Sequence, residues 1–299
     1  MSVILRLVLL AEIALYIASA IWCRMVITLP WMVSLGAALL IPFALRAALV
    51  ATTFSIAFKQ STEMGSVRDW LRAFVFETLA PMAFISIYGP FDKWLLKDSK
   101  GPMPTSRSKP MVLLVHGYVS NRGIWWRYVR SFKKRGHYVA AIDLHPALGS
   151  IDGFVEQLQQ AIVQHQKLSE SSRTVLIAHS MGGLVCRGWQ AKYGSENVEL
   201  IVTIGSPHNG TKLAPLALGQ CARQMRELSP WHRDLRAKES DAARAKVTSI
   251  RSIQDNVVVP NASSVLGGAS NVSFAGVGHF TATTDKRIRQ YVLQLVDQI

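Results

Sequence analysis

Ser180 lies in Ala178-His179-Ser180-Met181-Gly182-Gly183, where a short apolar run (173–178) meets a segment of helical composition. Small-x-Ser-x-Gly at a strand-to-helix turn is a setting for nucleophilic acyl transfer. The sharp turn lifts the hydroxyl above the sheet edge and holds the serine in a strained backbone conformation. Residues two before and two after must be small, because the turn brings them together. Ala178 stands where glycine is usual, and it is still small. The backbone N–H of Met181 opens the following helix and faces a developing oxyanion. A serine in an ordinary strand-helix loop is the plainer reading, and the strand before and helix after weigh against it.

A serine nucleophile needs a base and a group to orient that base. After such an elbow they follow in the order acid, then histidine. Asp255, in SIRSIQDNVVVP (249–260), and His279, in VSFAGVGHFTATT (272–284), keep that order at spacings of 75 and 24 residues. His279 would take the Ser180 proton and return it to the leaving group, while Asp255 fixes its tautomer. His116 and Gly117 end an earlier apolar run, and the next backbone N–H, that of Tyr118, is the second oxyanion candidate. His116, Gly117 and His179 are the substrate-side candidates, with His116 expected to order its loop and His179 to line the elbow or pack. Asp143 precedes Ser180 and Asp285 follows His279, so both are weaker candidates for the acid. His145 and His208 read as structural or solvated, and Cys186 as core.

The elements that must position these residues are legible as alternation. MVLLVHG (111–117), HYVAAIDL (137–144), RTVLIAHS (173–180) and VELIVTIGS (198–206) are short runs rich in Val and Ile. Such runs read as strands buried on both faces of a parallel sheet. Helix-like segments at 123–135, 152–168 and 183–193 separate them, which predicts an α/β architecture. A polar, proline-rich stretch (97–110) reads as a linker. Before it lies a membrane-anchoring region, 1–96, and after it a catalytic domain, 111–299, with an insert at 212–248.

The anchor rests on apolar length. Arg24 and Arg46 bracket 21 uncharged residues, enough to span a bilayer as a helix. Residues 2–22 are apolar but for Arg6 and Glu12. They read as an uncleaved first span rather than a signal peptide, although Ala18-Ser19-Ala20 resembles a cleavage site. A third stretch, Ala73–Phe91, contains Glu77 and Pro81 and either spans, lies in the interface or packs on the catalytic domain. Arg6 lies at the start of the first segment, and Arg46, Lys59, Arg68 and Arg72 lie after the second. Together they outweigh Arg24, which places the catalytic domain on the cytoplasmic side.

Charged residues are only 17% of the chain, which excludes a disordered or charged coiled-coil protein. The net charge of +14 suits an anionic partner, here anionic lipid rather than nucleic acid, since the positives are dispersed and no nucleic-acid motif is present. Three cysteines without metal-ligand spacing predict neither a disulfide framework nor a metal site. The chemistry above requires no cofactor. Composition does not fix the oligomeric state.

With these residues in place, segment 111–297 resembles an α/β-hydrolase of the bacterial lipase/esterase group with an A-H-S-M-G elbow. HGYVSNRGIWW (116–126) is similar to that group's oxyanion segment, and TIGSPHNGT (203–211) to the segment after the next strand. SIQDNVVVP and GVGHF (276–280) are similar to its acid and histidine segments. The resemblance implies hydrolysis of carboxylic esters, lipids included, through an acyl-enzyme, in a bacterial inner membrane. A thioesterase or acyltransferase would use the same triad, and a non-catalytic scaffold is the alternative of another class. The basic insert 212–248 is expected to cap the pocket, with Leu213, Leu216, Leu218, Met225, Leu228, Trp231 and Leu235 on its inner face.

Overall fold

The computed structural model describes residues 1–96 and 109–299. The four apolar runs form β1 (Met111–Val115), β2 (Val139–Ile142), β3 (Thr174–His179) and β4 (Val198–Ile204), and β5 (Val247–Ser252) and β6 (Ser270–Phe274) follow. All six are parallel, in the order β2-β1-β3-β4-β5-β6. Side chains of β1 alternate between two cores. Met111, Leu113 and Val115 pack with Phe154 and Leu158 of α6 (Ile151–Ser169) and Leu184 of α7 (Met181–Tyr193). Val112 and Leu114 pack with Tyr128 and Phe132 of α5 (Trp126–Lys134) and Ile288 and Val292 of α11 (Lys286–Asp297). Helices cover both faces of the central strands, which is why their sequences are continuously apolar rather than alternating.

The N-terminal region has the opposite economy. Of the 24 residues of α1 (Ser2–Met25), only Leu5, Ala20 and Cys23 are buried. Helix α2 (Trp31–Gln60) runs antiparallel to it after a turn at 26–30. This corrects the expected span: the helix starts at Trp31, not Met25, because Pro30 caps it, and it continues through Arg46. Arg46 is accommodated because Glu12 of α1 pairs with it and the Tyr16 hydroxyl accepts from it at 3.2 Å. Helix α3 (Val67–Ala83) starts at a reciprocal cap between Ser66 and Asp69. Beyond Pro81, which has no N–H to donate, it continues as a π-helical turn (Phe84–Tyr88), before α4 (Asp92–Leu95). Segments of 24, 30 and 22 residues here (Ser2–Met25, Trp31–Gln60, Val67–Tyr88) are long and apolar enough to cross a membrane. Helix α3 differs from the other two in that it buries a carboxylate, Glu77, against the loop after β6.

The base of the α1–α2 hairpin sits on loops at the carboxyl ends of the strands. Asn121, after β1, donates to the Ser2 hydroxyl at 3.3 Å. After β5, Asn256 donates to the Thr53 hydroxyl at 3.0 Å and Asn261 to the Ser61 hydroxyl at 3.2 Å. Asp92 pairs with Arg122 at 2.8 Å. The expected linker, 97–110, lies outside the described residues except for Lys109 and Pro110.

The insert folds as a 3-10 turn (Ala214–Leu216), α8 (Gln220–Gln224), α9 (Pro230–Lys238) and α10 (Asp241–Ala245), and its last residues already belong to β5. Its expected inner face divides. Met225 and Leu235 are buried, and Leu213 and Trp231 are half-buried. Leu216, Leu218 and Leu228 are 80%, 72% and 79% exposed. Pro215, Gly219 and Pro230 break the segment into short pieces, so apolar spacing does not map onto one helical face.

Candidate active site

Strand β3 delivers Ser180 into a turn with φ 54° and ψ −126°, a region that non-glycine residues avoid. The Ser180 N–H donates to the Ile204 carbonyl at 2.9 Å, and α7 begins at the next residue. Crowding explains the small neighbours. A Cβ on Gly182 would lie 2.7 Å from the carbonyl oxygens of Val115 and His116, and one on Gly117 would lie 2.8 Å from Cβ of Ser180. Ala178 still lies within β3, fully buried, where its methyl joins the α6/α7 core.

The loops after β5 and β6 bring the other two predicted residues to this turn. His279 Nε2 lies 3.0 Å from Ser180 Oγ, and His279 Nδ1 lies 3.0 and 3.1 Å from the two oxygens of Asp255. These are hydrogen-bond distances of the kind that join a nucleophile to its base and the base to its orienting group. Asp255 Oδ1 also accepts the N–H groups of Val257 and Val258 at 2.9 and 2.8 Å, which fixes the carboxylate. All three side chains are buried. Burial works against a charged His279, but the Asp255 charge and hydrogen bond outweigh it and hold the imidazole above its ordinary range.

The weaker acids are committed elsewhere. Asp143 accepts the Arg122 N–H at 2.9 Å, and Asp285 caps α11 and pairs with Arg287. Met181 is the first residue of α7, so its N–H has no intrahelical acceptor. Tyr118 follows Gly117, which touches Ser180, and its hydroxyl has a role the sequence did not show. It donates to the Leu218 carbonyl at 2.8 Å and accepts the Leu218 N–H at 3.1 Å, tying this loop to the insert.

Two of the substrate-side candidates, His116 and His179, are buried among the protein's own groups. The buried His116 ring is spent on backbone, with Nδ1 against the Gly117 carbonyl at 2.8 Å and Nε2 accepting the Leu144 N–H at 3.0 Å. It orders the loop, and burial holds it below its ordinary range, neutral. His179 packs against His279, with ring centroids 4.8 Å apart and Nε2 on the His279 carbonyl at 3.1 Å. His208 is buried in a network with Arg187 and Glu239, whose side chains pair at 2.7 Å with 1% exposure each. Cys186 is core.

Sequence reasoning missed Glu77 and Asn256. Glu77 accepts the N–H groups of Phe280 and Thr281 at 2.7 and 2.9 Å, and Asn256 accepts that of His279 at 3.2 Å. The signal for Glu77 was available, since a lone acid in an apolar helix requires donors.

A family model described as palmitoyl protein thioesterase matches residues 111–261. Esterase PIR7B of Oryza sativa subsp. japonica is 33% identical over 89 residues, a stretch that covers 27% of this chain and 32% of the rice protein. The chain thus spans about a third of the length of that curated relative. Lipase BlEst2 of Bacillus licheniformis in its mature form superposes with a TM-score of 0.57 at 17% identity, covering 65% of this chain and 95% of that one. Its propeptide form gives 0.57 at 18% identity, covering 65% of this chain and 52% of that one. At such identity the likeness is one of fold, an α/β-hydrolase sheet with its helices.

Proposed function

The chain belongs to the palmitoyl protein thioesterase family, a hydrolase of the lipase/esterase/thioesterase type, and we propose that it is a membrane-anchored serine hydrolase of acyl esters. One observation carries this reading: Ser180 Oγ, both ring nitrogens of His279 and the Asp255 carboxylate form one hydrogen-bonded line. His279 Nε2 takes the proton as Ser180 Oγ attacks the acyl carbonyl carbon. The N–H groups of Met181 and Tyr118 receive the oxyanion. On collapse, the imidazolium gives the proton to the departing alcohol, leaving the acyl group on Ser180. Water, deprotonated by His279, then releases the acid and restores Ser180. Asp255 keeps the proton on Nδ1 and supports the imidazolium. A thioester fits the same steps with a thiol leaving, and the family match favours it as the second reading.

The anchor reading is that α1 and α2 cross the bilayer as a hairpin. Both ends of the hairpin bond to the sheet domain, so the domain and the N-terminus share one side. Lys59, Arg68 and Arg72 near that side outnumber Arg24 near the distal turn, which favours the cytoplasmic face of a bacterial inner membrane. Helix α3 packs on the domain. The strand ends that bear the triad are the ends the hairpin touches, so the site opens beside the bilayer, where acyl lipids reside. The 212–248 insert serves as its cap.

The test compares wild type with Ser180→Ala in detergent, by fluorophosphonate labelling and by hydrolysis of p-nitrophenyl esters and acyl thioesters of short and long chains. Wild type should label and turn over, and the variant should lose roughly 10⁴-fold or more in kcat. Full activity in Ser180→Ala would remove the assignment. A wild type silent on esters and active on thioesters would select the second reading.

A further inference from the structure

Glu77 belongs to α3, outside the sheet domain, yet it is only 3% exposed. Its two oxygens take the N–H groups of Phe280 and Thr281 at 2.7 and 2.9 Å, the two residues after His279. Gly278, the residue before, approaches so closely that a Cβ there would lie 2.5 Å from Glu77 Oε2 and 2.9 Å from Glu77 Cβ. On the other side, the His279 N–H donates to Asn256 Oδ1 at 3.2 Å, and Asn256 Nδ2 donates to the Thr53 hydroxyl of α2 at 3.0 Å. The histidine loop is therefore gripped between a carboxylate from α3 and an amide tethered to α2. Each oxygen accepts one N–H, the pattern of an ionised carboxylate, and these two bonds oppose the burial that raises the Glu77 carboxyl above its ordinary range.

We propose that Glu77 is a positioning residue for His279: it fixes the loop through the N–H groups of Phe280 and Thr281, and its charge favours the imidazolium formed during acyl transfer. This deepens the reading of Ser180, Asp255 and His279 as the triad and rests on it. The groups facing His279 are few. Asp255 and Ser180 bond its two ring nitrogens, His179 stacks on the ring, and Glu77 lies behind the loop. Asp69 and Arg72 of α3 flank Gly276 farther along the loop, and Asp285 is occupied by Arg287 and Arg72. Burial opposes the charged form of His279, Asp255 overcomes it, and Glu77 acts in the same direction as Asp255. Burial keeps His179 well below its ordinary range, so it brings no competing charge. The catalytic histidine of one domain is thereby completed by a helix of the anchoring region. An undocked α3 would leave the nucleophile in place and its base loosely held.

The experiment uses the full chain in detergent with a p-nitrophenyl ester, comparing wild type, Glu77→Gln, Glu77→Asp and Ser180→Ala. In Glu77→Gln one acceptor becomes a donor facing an N–H, and the charge is gone. Its kcat should fall about 10- to 100-fold with KM little changed. The acid limb of kcat/KM should move down by up to about one pH unit, because losing a nearby negative charge lowers the His279 pKa. A role confined to holding the fold would not move that limb. A folded Glu77→Gln with wild-type kcat and wild-type limb, or with a loss confined to KM, overturns the proposal. If Glu77→Gln does not fold, Glu77→Asp carries the test: the charge stays while the acceptors draw back by one methylene. Its limb should stay near wild type with kcat lowered severalfold, and a wild-type kcat overturns the proposal. Ser180→Ala separates the two layers. If it is inert while Glu77→Gln behaves as wild type, only the positioning role falls. If it is active, the triad reading falls first.

Discussion

The sheet domain and the α1–α2 hairpin use apolar residues in opposite ways. Every residue of β1 is buried between two helical layers, whereas most apolar side chains of α1 and α2 face outward. In the hairpin it is the charged pair, Glu12 and Arg46, that turns inward with Tyr16. A surface of that kind fits a hydrocarbon surround and not water. The seam between the two regions follows neither rule. Leu5, Phe84 and Leu96 of the N-terminal region pack into the sheet domain's core, Phe84 against Phe280, and polar contacts from α1–α4 join them: Ser2 with Asn121, Thr53 with Asn256, Glu77 with Phe280 and Thr281, and Asp92 with Arg122. Hydrogen bonds hold a definite orientation where apolar contact alone would allow sliding. Here they fall on the loop after β1 and on the loops that carry Asp255 and His279. The N-terminal region is thus held in a definite orientation at the sheet edge that bears Ser180.

The largest effect is expected where Asp255 meets His279. Asp255→Asn keeps the shape of the side chain and removes the charge, leaving His279 free to take the wrong tautomer. A loss of about 10⁴-fold in kcat is expected. The pH profile supplies the sign. His279 sits above its ordinary range and must be neutral to act as base, so activity falls as pH drops through that raised value. In Asp255→Asn the remaining acid limb should shift to lower pH. A pH–rate profile on a p-nitrophenyl ester reads both effects. A change of less than tenfold in kcat would return Asp143 and Asp285 to consideration as the acid.

Next in size is a change within the sheet domain that leaves the seam alone. Arg187 on α7 and Glu239 just after α9 form a two-armed ion pair with both side chains buried, and Arg187 also meets His208. Glu239→Ala strands a buried guanidinium and should destabilise the domain by about 3–5 kcal/mol. Thermal unfolding in detergent measures it. His208, kept well below its ordinary range by burial and by Arg187, is neutral, and it gives the guanidinium a ring nitrogen and a carbonyl but no charge. An unchanged midpoint would mean that the insert is not locked to α7 through this pair.

The sheet, and the loops that bring Ser180, Asp255 and His279 together, were legible in the sequence because both depend on local pattern. Buried strands read as apolar runs, and Ser180, Asp255 and His279 each sit just beyond a strand or its turn. The hairpin's existence was legible through apolar length, but its limits were not. Arg46 marks the end of an uncharged run, yet it does not end the helix, because its partner Glu12 lies 34 positions away in sequence. The partners of Glu77, Asn256 and the Tyr118 hydroxyl were hidden for the same reason. Each lies more than twenty residues distant, and no spacing announces such a meeting. The insert misled because period counting assumes a helix longer than a turn or two, and α8 and α10 have five residues each.

That misreading leads to the smallest effect, on the side of the sheet domain that behaves like the hairpin. Leu216 and Leu218 are strongly exposed, Leu148 is 43% exposed against Gly219, and the Tyr118 hydroxyl holds the Leu218 backbone next to the loop after β1. Apolar side chains held outward at the rim of a site, on an insert that also bears Arg223 and Arg226, suit contact with an anionic lipid surface. Leu216→Ser combined with Leu218→Ser should leave the fold within about 0.5 kcal/mol per site, because neither side chain is packed. Turnover of a short, water-soluble ester should be unchanged. A long-chain substrate presented in anionic vesicles should show a KM raised a few-fold, since each leucine forfeits part of the roughly 1.5–3 kcal/mol that burial in lipid would give. Salt should weaken the preference for anionic over neutral vesicles in wild type. Equal effects on the soluble and the vesicle-borne substrate would place these leucines in catalysis or folding instead, and would remove the likeness between cap and hairpin.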